Sequence, residues 1–339
     1  MNQSIDDNFY HINKKNFFID NIKEYNCQLD FIKIGSNSRR KVVLQVDKEN
    51  NIGFFQKRSH HLINIDDYYN LLEKEINNLI SILKVFLKSQ QQNFIKKITL
   101  TMFDNVLDII FLVKNELSFI QQKNFTKFAQ DNQINASYQI NFAVAPIYLF
   151  KKNQIHIGNY KLEVASDIFL QASKLGLENI IKIIRKQFLE SEFLKKKIVD
   201  IYSGCGFYAF ALNDIVKEIH CYEGLEKMAN INKQNCSKYS INNIKSYCRD
   251  LFNNPLNAKE INVFEAAIIN PPRNGASPQI IEIAKSKIKL VIYVSCDIKS
   301  FKRDAKILID SKFKITNINA VDQFYLTDHI ELIATFVRK

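Results

Sequence analysis

Apolar positions along the chain fall into two textures that meet near residue 165. In the first half, KVVLQVD (41–47) and IGFFQ (52–56) flank Glu49-Asn50-Asn51, the spacing of a β-hairpin. Leu71, Leu72, Ile76, Leu79, Ile80, Leu83 and Phe86 recur at helical intervals and predict a helix over 66–88. Runs at 97–102, 107–113 and 139–144 predict strands, with a helix near 117–130. This order predicts a smaller α+β domain over 1–164.

From 165 onward helical patterns alternate with short apolar, β-branched runs. Helices are expected at 165–190, near 207–216, 225–239 and 278–286, and at 299–310. Strands are expected at 198–202, 218–223, around IKSYCRD, at 266–270 and 290–296, and in two closing stretches at 313–320 and 329–337. Such alternation predicts an α/β domain over 165–339, a doubly wound, mostly parallel sheet of Rossmann type. Ligands of such sheets sit at the carboxyl ends of the strands, and the candidate motifs lie there.

Asp200-Ile-Tyr-Ser-Gly204-Cys-Gly206-Phe207 follows one strand and opens a helix. Glycines at such a turn let backbone approach a ligand closely, which makes Gly204 a cofactor-site candidate. The spacing is not GxGxxG and no Gly-Lys-Ser/Thr follows, which disfavours dinucleotides and triphosphates. Glu223 ends the next strand, where a carboxylate can accept from both hydroxyls of a ribose. Asp250 ends the third, in reach of a base. Taken alone, the turn is equally read as a tight strand–helix connection that binds nothing. The two acids in register favour S-adenosylmethionine, which carries a sulfonium and an amino-acid tail instead of phosphates.

Asn270-Pro271-Pro272-Arg273 forms a stiff loop suited to presenting side chains, so Asn270 joins the cofactor-site candidates. An aromatic after Asn-Pro-Pro would indicate methylation of an exocyclic amine; Arg273 stands there instead. Cys296 ends the following strand, and a thiol at that place points to covalent catalysis. Carbon 5 of uracil is too weak a nucleophile to attack a methyl sulfonium unaided. A thiolate adding to carbon 6 makes carbon 5 nucleophilic, and a base must afterwards remove the carbon-5 proton. Asp322, Asp328, His329 and Glu331 cluster where that base is needed. The plain alternative for Cys296 is a buried structural thiol, the reading kept for Cys205, Cys221, Cys236 and Cys248. His329 and Asp322 have structural alternatives too, a core hydrogen bond and an ion pair or cap.

A formal charge of +12 adds a partner: the surface attracts polyanions, nucleic acid first and an anionic membrane surface second. A Lys-, Asn- and Ile-rich composition is the plain alternative. No apolar run is long enough to span a bilayer, and the N-terminus lacks a basic-then-apolar signal, so a cytoplasmic protein without membrane attachment is expected, as a monomer. Six cysteines without a CxxC pair fit a reducing compartment.

Together these motifs resemble the 5-methyluridine RNA methyltransferase family, whose bacterial members act on transfer and ribosomal RNA. FLQAS (169–173) is similar to the family's FFQxN, which implies that Gln171 touches the cofactor. DIYSGCGFYAFAL resembles its D-L-Y/F-C-G-x-G-x-F/L-S-L segment and implies Tyr202 and Phe207 beside the cofactor. Glu223 falls at the ribose-binding acid. NPPRNG resembles D/N-P-P-R-x-G, and YVSCDIKSFKRD resembles the nucleophile segment around Cys296. VDQFYLTDHIELIATF is similar to D-M-F-P-x-T-x-H-x-E, which implies Glu331 as general base. The resemblance therefore implies methylation of uridine carbon 5 in RNA, with S-adenosylmethionine as cofactor and an RNA as partner.

Upstream, the resemblance is degraded. Many members hold an iron–sulfur cluster on four cysteines; here Tyr68 stands at the last of these positions and only Cys27 lies upstream. One thiolate cannot hold a cluster, so no metal is expected. The N-terminus is too short for the β-barrel RNA-binding domain of some members. Asn270 in place of Asp, and Ser59-His60 after the hairpin, lean toward the ribosomal branch. Two other readings compete: a noncatalytic RNA-binding relic, which needs no thiol, base and cofactor loop together, and an exocyclic-amine methyltransferase, which leaves Cys296 and Glu331 without roles.

Overall fold

The computed structural model describes residues 7–56, 59, 61–68 and 70–338. His60 lies outside the described residues, as does the side chain of Tyr68. The chain forms two compact units. One runs to Gly35, takes in Ile157–Tyr160 and continues from Leu175; the other comprises Ser36–His156 and Lys161–Lys174.

In chain order, α1 (Asp7–Ile22) and β1 (Gln28–Lys33) open the first unit. The second unit follows with β2 (Lys41–Val46), β3 (Ile52–Phe55), β4 (Leu62–Asn64), α2 (Lys74–Lys88), β5 (Ile95–Met102), β6 (Leu107–Val113), α3 (Phe119–Asp131), β7 (Asn135–Ile140) and β8 (Ala143–Tyr148). A short ladder joins β9 (Gln154–Ile157) and β10 (Tyr160–Glu163). The first unit resumes with α4 (Lys174–Leu189), β11 (Lys197–Ile201), α5 (Phe207–Leu212), β12 (Glu218–Glu223), α6 (Glu226–Lys238), β13 (Ile244–Cys248), α7 (Ala258–Ile261) and β14 (Ala266–Ile269). It ends with α8 (Ser277–Lys285), β15 (Leu290–Ser295), α9 (Ile298–Asp310), β16 (Phe313–Asp322) and β17 (Glu331–Arg338).

The second unit is a seven-stranded sheet, ordered β4-β3-β2-β5-β6-β7-β8, with two helices. The expected hairpin is present, its turn closed by Asn50 at φ 62°. Phe86 of α2 stacks on Phe128 of α3 at 4.2 Å and meets Phe125 and Phe111, one aromatic core for helices and sheet. Two expectations shift. The 66–88 helix begins only at Lys74, because backbone bonds from Arg39 N to Leu71 O and from Glu73 N to Arg39 O hold residues 71–73 extended. Leu71 and Leu72 are buried all the same, which is why the apolar stripe looked continuous. The 139–144 run is the turn between β7 and β8, reversed at Asn141 with φ 54°.

The first unit is an eight-stranded sheet ordered β1-β16-β17-β15-β14-β11-β12-β13, parallel except that β17 runs against β15 and β16. This is the mixed α/β, mostly parallel architecture expected. The helix expected from 165 starts at Lys174, since Ala172 O accepts from Arg40 N and Ser173 bridges Arg39, occupying backbone that a helix needs. A division at 164/165 does not follow the compact units, because the described residues up to Gly35 pack with the C-terminal sheet. There β1 adds a parallel edge strand, Gln28 opposite Asn317 through Lys33 opposite Asp322, and α1 buries Phe18 and Ile22 in the core. Among the described residues no helix is long and apolar enough to cross a membrane.

Candidate active site

The glycine turn is built at the carboxyl end of β11. Tyr202, Gly204 and Gly206 all take positive φ (61°, 56° and 80°), which coils the backbone tightly before α5. A Cβ on Gly206 would press into the Asn232 side chain at 2.4 Å, so close packing demands this glycine. A Cβ on Gly204 would meet nothing within 4 Å. Space beside Gly204 is therefore open to a ligand, the use expected of a cradle glycine.

Acidic residues lie near this turn. Glu223 Oε2 accepts from Gly204 N at 2.9 Å and its Oε1 from Leu225 N at 2.9 Å, so the carboxylate is held against the turn with lone pairs to spare. Asp200 lies two residues before the turn, fully buried, and neither of its oxygens has a hydrogen-bond partner. Burial, reinforced by Glu223, holds its carboxyl well above the usual range. Tyr202 Oη is likewise buried without a partner, and its ring lies 5.5 Å from that of Phe252. Orphaned buried oxygens and an open glycine fit a cationic ligand with a hydroxylated sugar. S-adenosylmethionine, with its sulfonium and ammonium groups, is such a ligand. Asp250 is exposed and closes its own turn, accepting from Phe252 N, Asn253 N and Asn253 Nδ2. Asn270 Nδ2 donates to Tyr208 Oη at 3.4 Å from the end of β14, the strand beside β11. Phe207 begins α5, directly after the turn. Gln171 is buried in the other unit.

Cys296 and Glu331 approach one another at the ends of two adjacent strands. β15 and β17 are antiparallel, with Ser295 opposite Leu332. Cys296 follows the last residue of β15 and Glu331 opens β17 just beyond that pair, and the two are close enough for the Glu331 charge to act on the thiol. Burial pushes the Cys296 thiol up to about 11; the Glu331 charge adds to the rise and Arg273 opposes it. Glu331 is only 3% exposed, and burial pushes it up to about 7 against the pull of a hydrogen bond from Gln323 Nε2 at 2.8 Å.

The remaining acidic candidate of that cluster inside a strand is structural. Asp322 is fully buried and bound by Lys14 Nζ and by His11 Nδ1, the latter at 3.2 Å. His329 sits beside Phe324, its imidazole held neutral first by burial and then by Arg273. The proline loop owes its shape to α9: Asp304 accepts from Ala276 N, Ser277 Oγ and Tyr293 Oη, and Arg303 Nη2 donates to Asn274 O. Cys205, Cys221 and Cys236 are buried as expected, whereas Cys248 is exposed, because β13 is the edge strand of its sheet. Among the described residues no group of His, Cys, Asp and Glu side chains is gathered to hold a metal. Sequence reasoning passed over Gln323, Gly176, His11 and Lys14; the one available signal was that Gln323 lies within the VDQFYLTDHIELIATF segment.

Residues 37–339 match the tRNA (Uracil-5-)-methyltransferase family. The chain belongs to this family. It is an S-adenosylmethionine-dependent RNA methyltransferase. An uncharacterised RNA methyltransferase of Mesorhizobium japonicum is 25% identical over 337 residues, 95% of this chain and 77% of that protein. The 23S rRNA (uracil(1939)-C(5))-methyltransferase RlmD of Mannheimia succiniciproducens is 27% identical over 304 residues, 85% of this chain and 65% of that one. In fold, the chain resembles the Pyrococcus abyssi tRNA (uracil-54, C5)-methyltransferase in complex with S-adenosyl-L-homocysteine. The TM-score is 0.77 at 19% identity, over 98% of this chain and 84% of the other.

Proposed function

We propose that this family member methylates carbon 5 of a uridine in ribosomal RNA through a covalent adduct on Cys296, with Glu331 as the general base. The observation that carries the reading is the placement of Cys296 and Glu331 side by side, next in the sheet to the Asn270 loop and the glycine turn. Sulfur adds to carbon 6, and the electron pair of the 5,6-double bond moves toward carbon 5 and oxygen 4. Bound S-adenosylmethionine supplies an electrophilic methyl group on its sulfonium. Carbon 5 then carries both a methyl group and a proton. Glu331 takes that proton, the double bond reforms, and the thiolate leaves.

Electrostatics support this division of labour. A thiol near 11 is not stored as thiolate, so it gives up its proton to solvent as sulfur adds to carbon 6 and regains one from solvent when the thiolate leaves, with Arg273 favouring the charged form in between. A carboxyl near 7 is half ionised at neutral pH, where a base both accepts and returns protons readily. In the cofactor site, Glu223 holds the ribose, Gly204 provides the close approach, and Tyr202, Phe207, Asp250 and Asn270 are the further contacts proposed. Asp250 has the least support of these, since its own turn already occupies its carboxylate. Ribosomal RNA is preferred because Asn270 resembles that branch and a 23S rRNA enzyme is among the relatives.

The test is adduct chemistry. Cys296→Ala should lose both methyl transfer and any covalent protein–RNA species, and RNA carrying 5-fluorouridine at the target should trap the wild-type protein. Mapping 5-methyluridine in ribosomal and transfer RNA from cells with and without the protein identifies the substrate. Full turnover by Cys296→Ala would refute the covalent route. Cofactor binding without adduct or turnover on any cellular RNA would favour a noncatalytic RNA binder.

A further inference from the structure

The hydrogen bond on Glu331 comes from a residue fixed on every side. Gln323 directly follows β16, and its backbone N donates to Val321 O at 3.0 Å. Its two chain neighbours are both tied to α1. Asp322 binds Lys14 Nζ and His11 Nδ1, and the same Lys14 Nζ donates to Phe324 O at 3.0 Å. Tyr10 Oη accepts from Leu326 N at 3.0 Å and from Lys14 Nζ at 2.9 Å. On the other flank stands Gly176, in the first turn of α4. A Cβ there would lie 2.4 Å from Gln323 Oε1 and 2.9 Å from Gln323 Cβ. The second contact involves the root of the side chain, so Gln323 could not swing aside cheaply. Nothing in packing alone requires an amide at this position, since a thioether would fill the same volume beside Gly176.

We propose that Gln323 is a positioning residue for the proton-abstraction step: its Nε2–H holds Glu331 Oε2 and thereby aims Oε1 at the carbon-5 proton of the uracil. Gly176 and the α1 contacts to Asp322 and Phe324 are the frame that sets Gln323 in place. The arrangement rests on the proposed role of Glu331 as base. Held by one oxygen, the carboxylate keeps the other for the incoming proton, and a fixed carboxylate loses no orientation at the moment of transfer. Misplacing a reacting group by an ångström costs on the order of a hundredfold in rate, so a donor that removes such freedom has kinetic weight.

Gln323→Met keeps the side-chain volume and deletes the donor; Gly176→Ala keeps the amide and displaces it. Both are compared with wild type and with Glu331→Gln in the full-length protein, using labelled S-adenosylmethionine and unmodified ribosomal RNA from cells lacking the protein. One single-turnover experiment reads two rates, methyl incorporation and decay of the denaturation-resistant methylated protein–RNA adduct. Gln323→Met should slow adduct decay by about tenfold or more while methyl incorporation changes by less than about threefold. Gly176→Ala should shift the same step in the same direction, and Gln323→Glu should not rescue it, lacking the donor and adding a like charge. Adduct decay at the wild-type rate in Gln323→Met, with Glu331→Gln accumulating adduct, overturns the positioning role and leaves the base assignment standing. Normal release by Glu331→Gln overturns both. Equal slowing of both rates, with a lowered melting temperature, assigns Gln323 a merely structural role and also overturns the proposal.

Discussion

Burying a carboxyl that must ionise leaves a mark on stability that can be measured without any substrate. Glu331 is 3% exposed, and its carboxyl is raised from an ordinary 4.5 to about 7. Below 4.5 the group is protonated in both folded and unfolded chains and has no effect on stability. Between 4.5 and about 7 the folded chain keeps the proton while the unfolded chain has released it, so stability falls as pH rises. Above 7 both are ionised and the full burial cost remains, about 3 kcal/mol at about 1.4 kcal/mol per pH unit. Glu331→Gln removes that cost, and its amide oxygen can still accept from Gln323. The variant should therefore match wild type near pH 4 and exceed it by about 3 kcal/mol at pH 8.5. Urea titrations of both proteins at four pH values across this range give the difference directly, with other titrating groups cancelling in the comparison. A difference that stays flat with pH, or one that shrinks as pH rises, would show that the carboxylate is not desolvated and remove the basis for its raised basicity. A variant both inactive in release and more stable at alkaline pH is what a buried catalytic base predicts.

Further outcomes follow from other parts of the site. Lys14→Met leaves the fully buried Asp322 with its His11 contact but no lysine and should destabilise the fold by about 3–5 kcal/mol, with Lys14→Met combined with Asp322→Leu recovering much of the loss in thermal melts. Glu223→Ala should weaken S-adenosylmethionine binding by about tenfold or more in calorimetry; unchanged affinity would remove the ribose assignment. Cys296, with a thiol near 11, should alkylate slowly at pH 7.5 and about tenfold faster per pH unit up to that value, read by peptide mass spectrometry with exposed Cys248 replaced by Ser. Rapid labelling at neutral pH would contradict the buried thiol. RNA affinity should fall linearly on a log–log plot against salt if the +12 charge contacts phosphates, whereas a flat plot would leave that charge to composition alone.

Much of this chain is legible in its sequence, and the reason is local. Strand–helix alternation after residue 165, the glycine turn at 204–206 and the acid ending β12 are set by short-range rules of periodicity, turn chemistry and strand-end placement. Cys296 stands out because it ends an apolar run, whereas Glu331 is one of four polar candidates near the start of the last strand and is singled out only by the resemblance. What the sequence could not reveal was long-range. The helix at 7–22 turns His11, Lys14, Phe18 and Ile22 inward together; two polar residues on that stripe break the apolar pattern, and only Asp322, more than 300 residues away, makes them suitable for burial. Leu71 and Leu72 mimic the start of a helix while pairing as extended chain with residue 39. Gln323 carries no periodic or turn signal, and its meaning comes from lying between Gly176 and Glu331. Sequence determined the strand-end motifs and hence the family's chemistry. The tertiary structure alone decided that Cys296 and Glu331 stand near each other, and that an N-terminal helix braces the loop leading to Glu331, since both depend on contacts between segments with no local signal for one another.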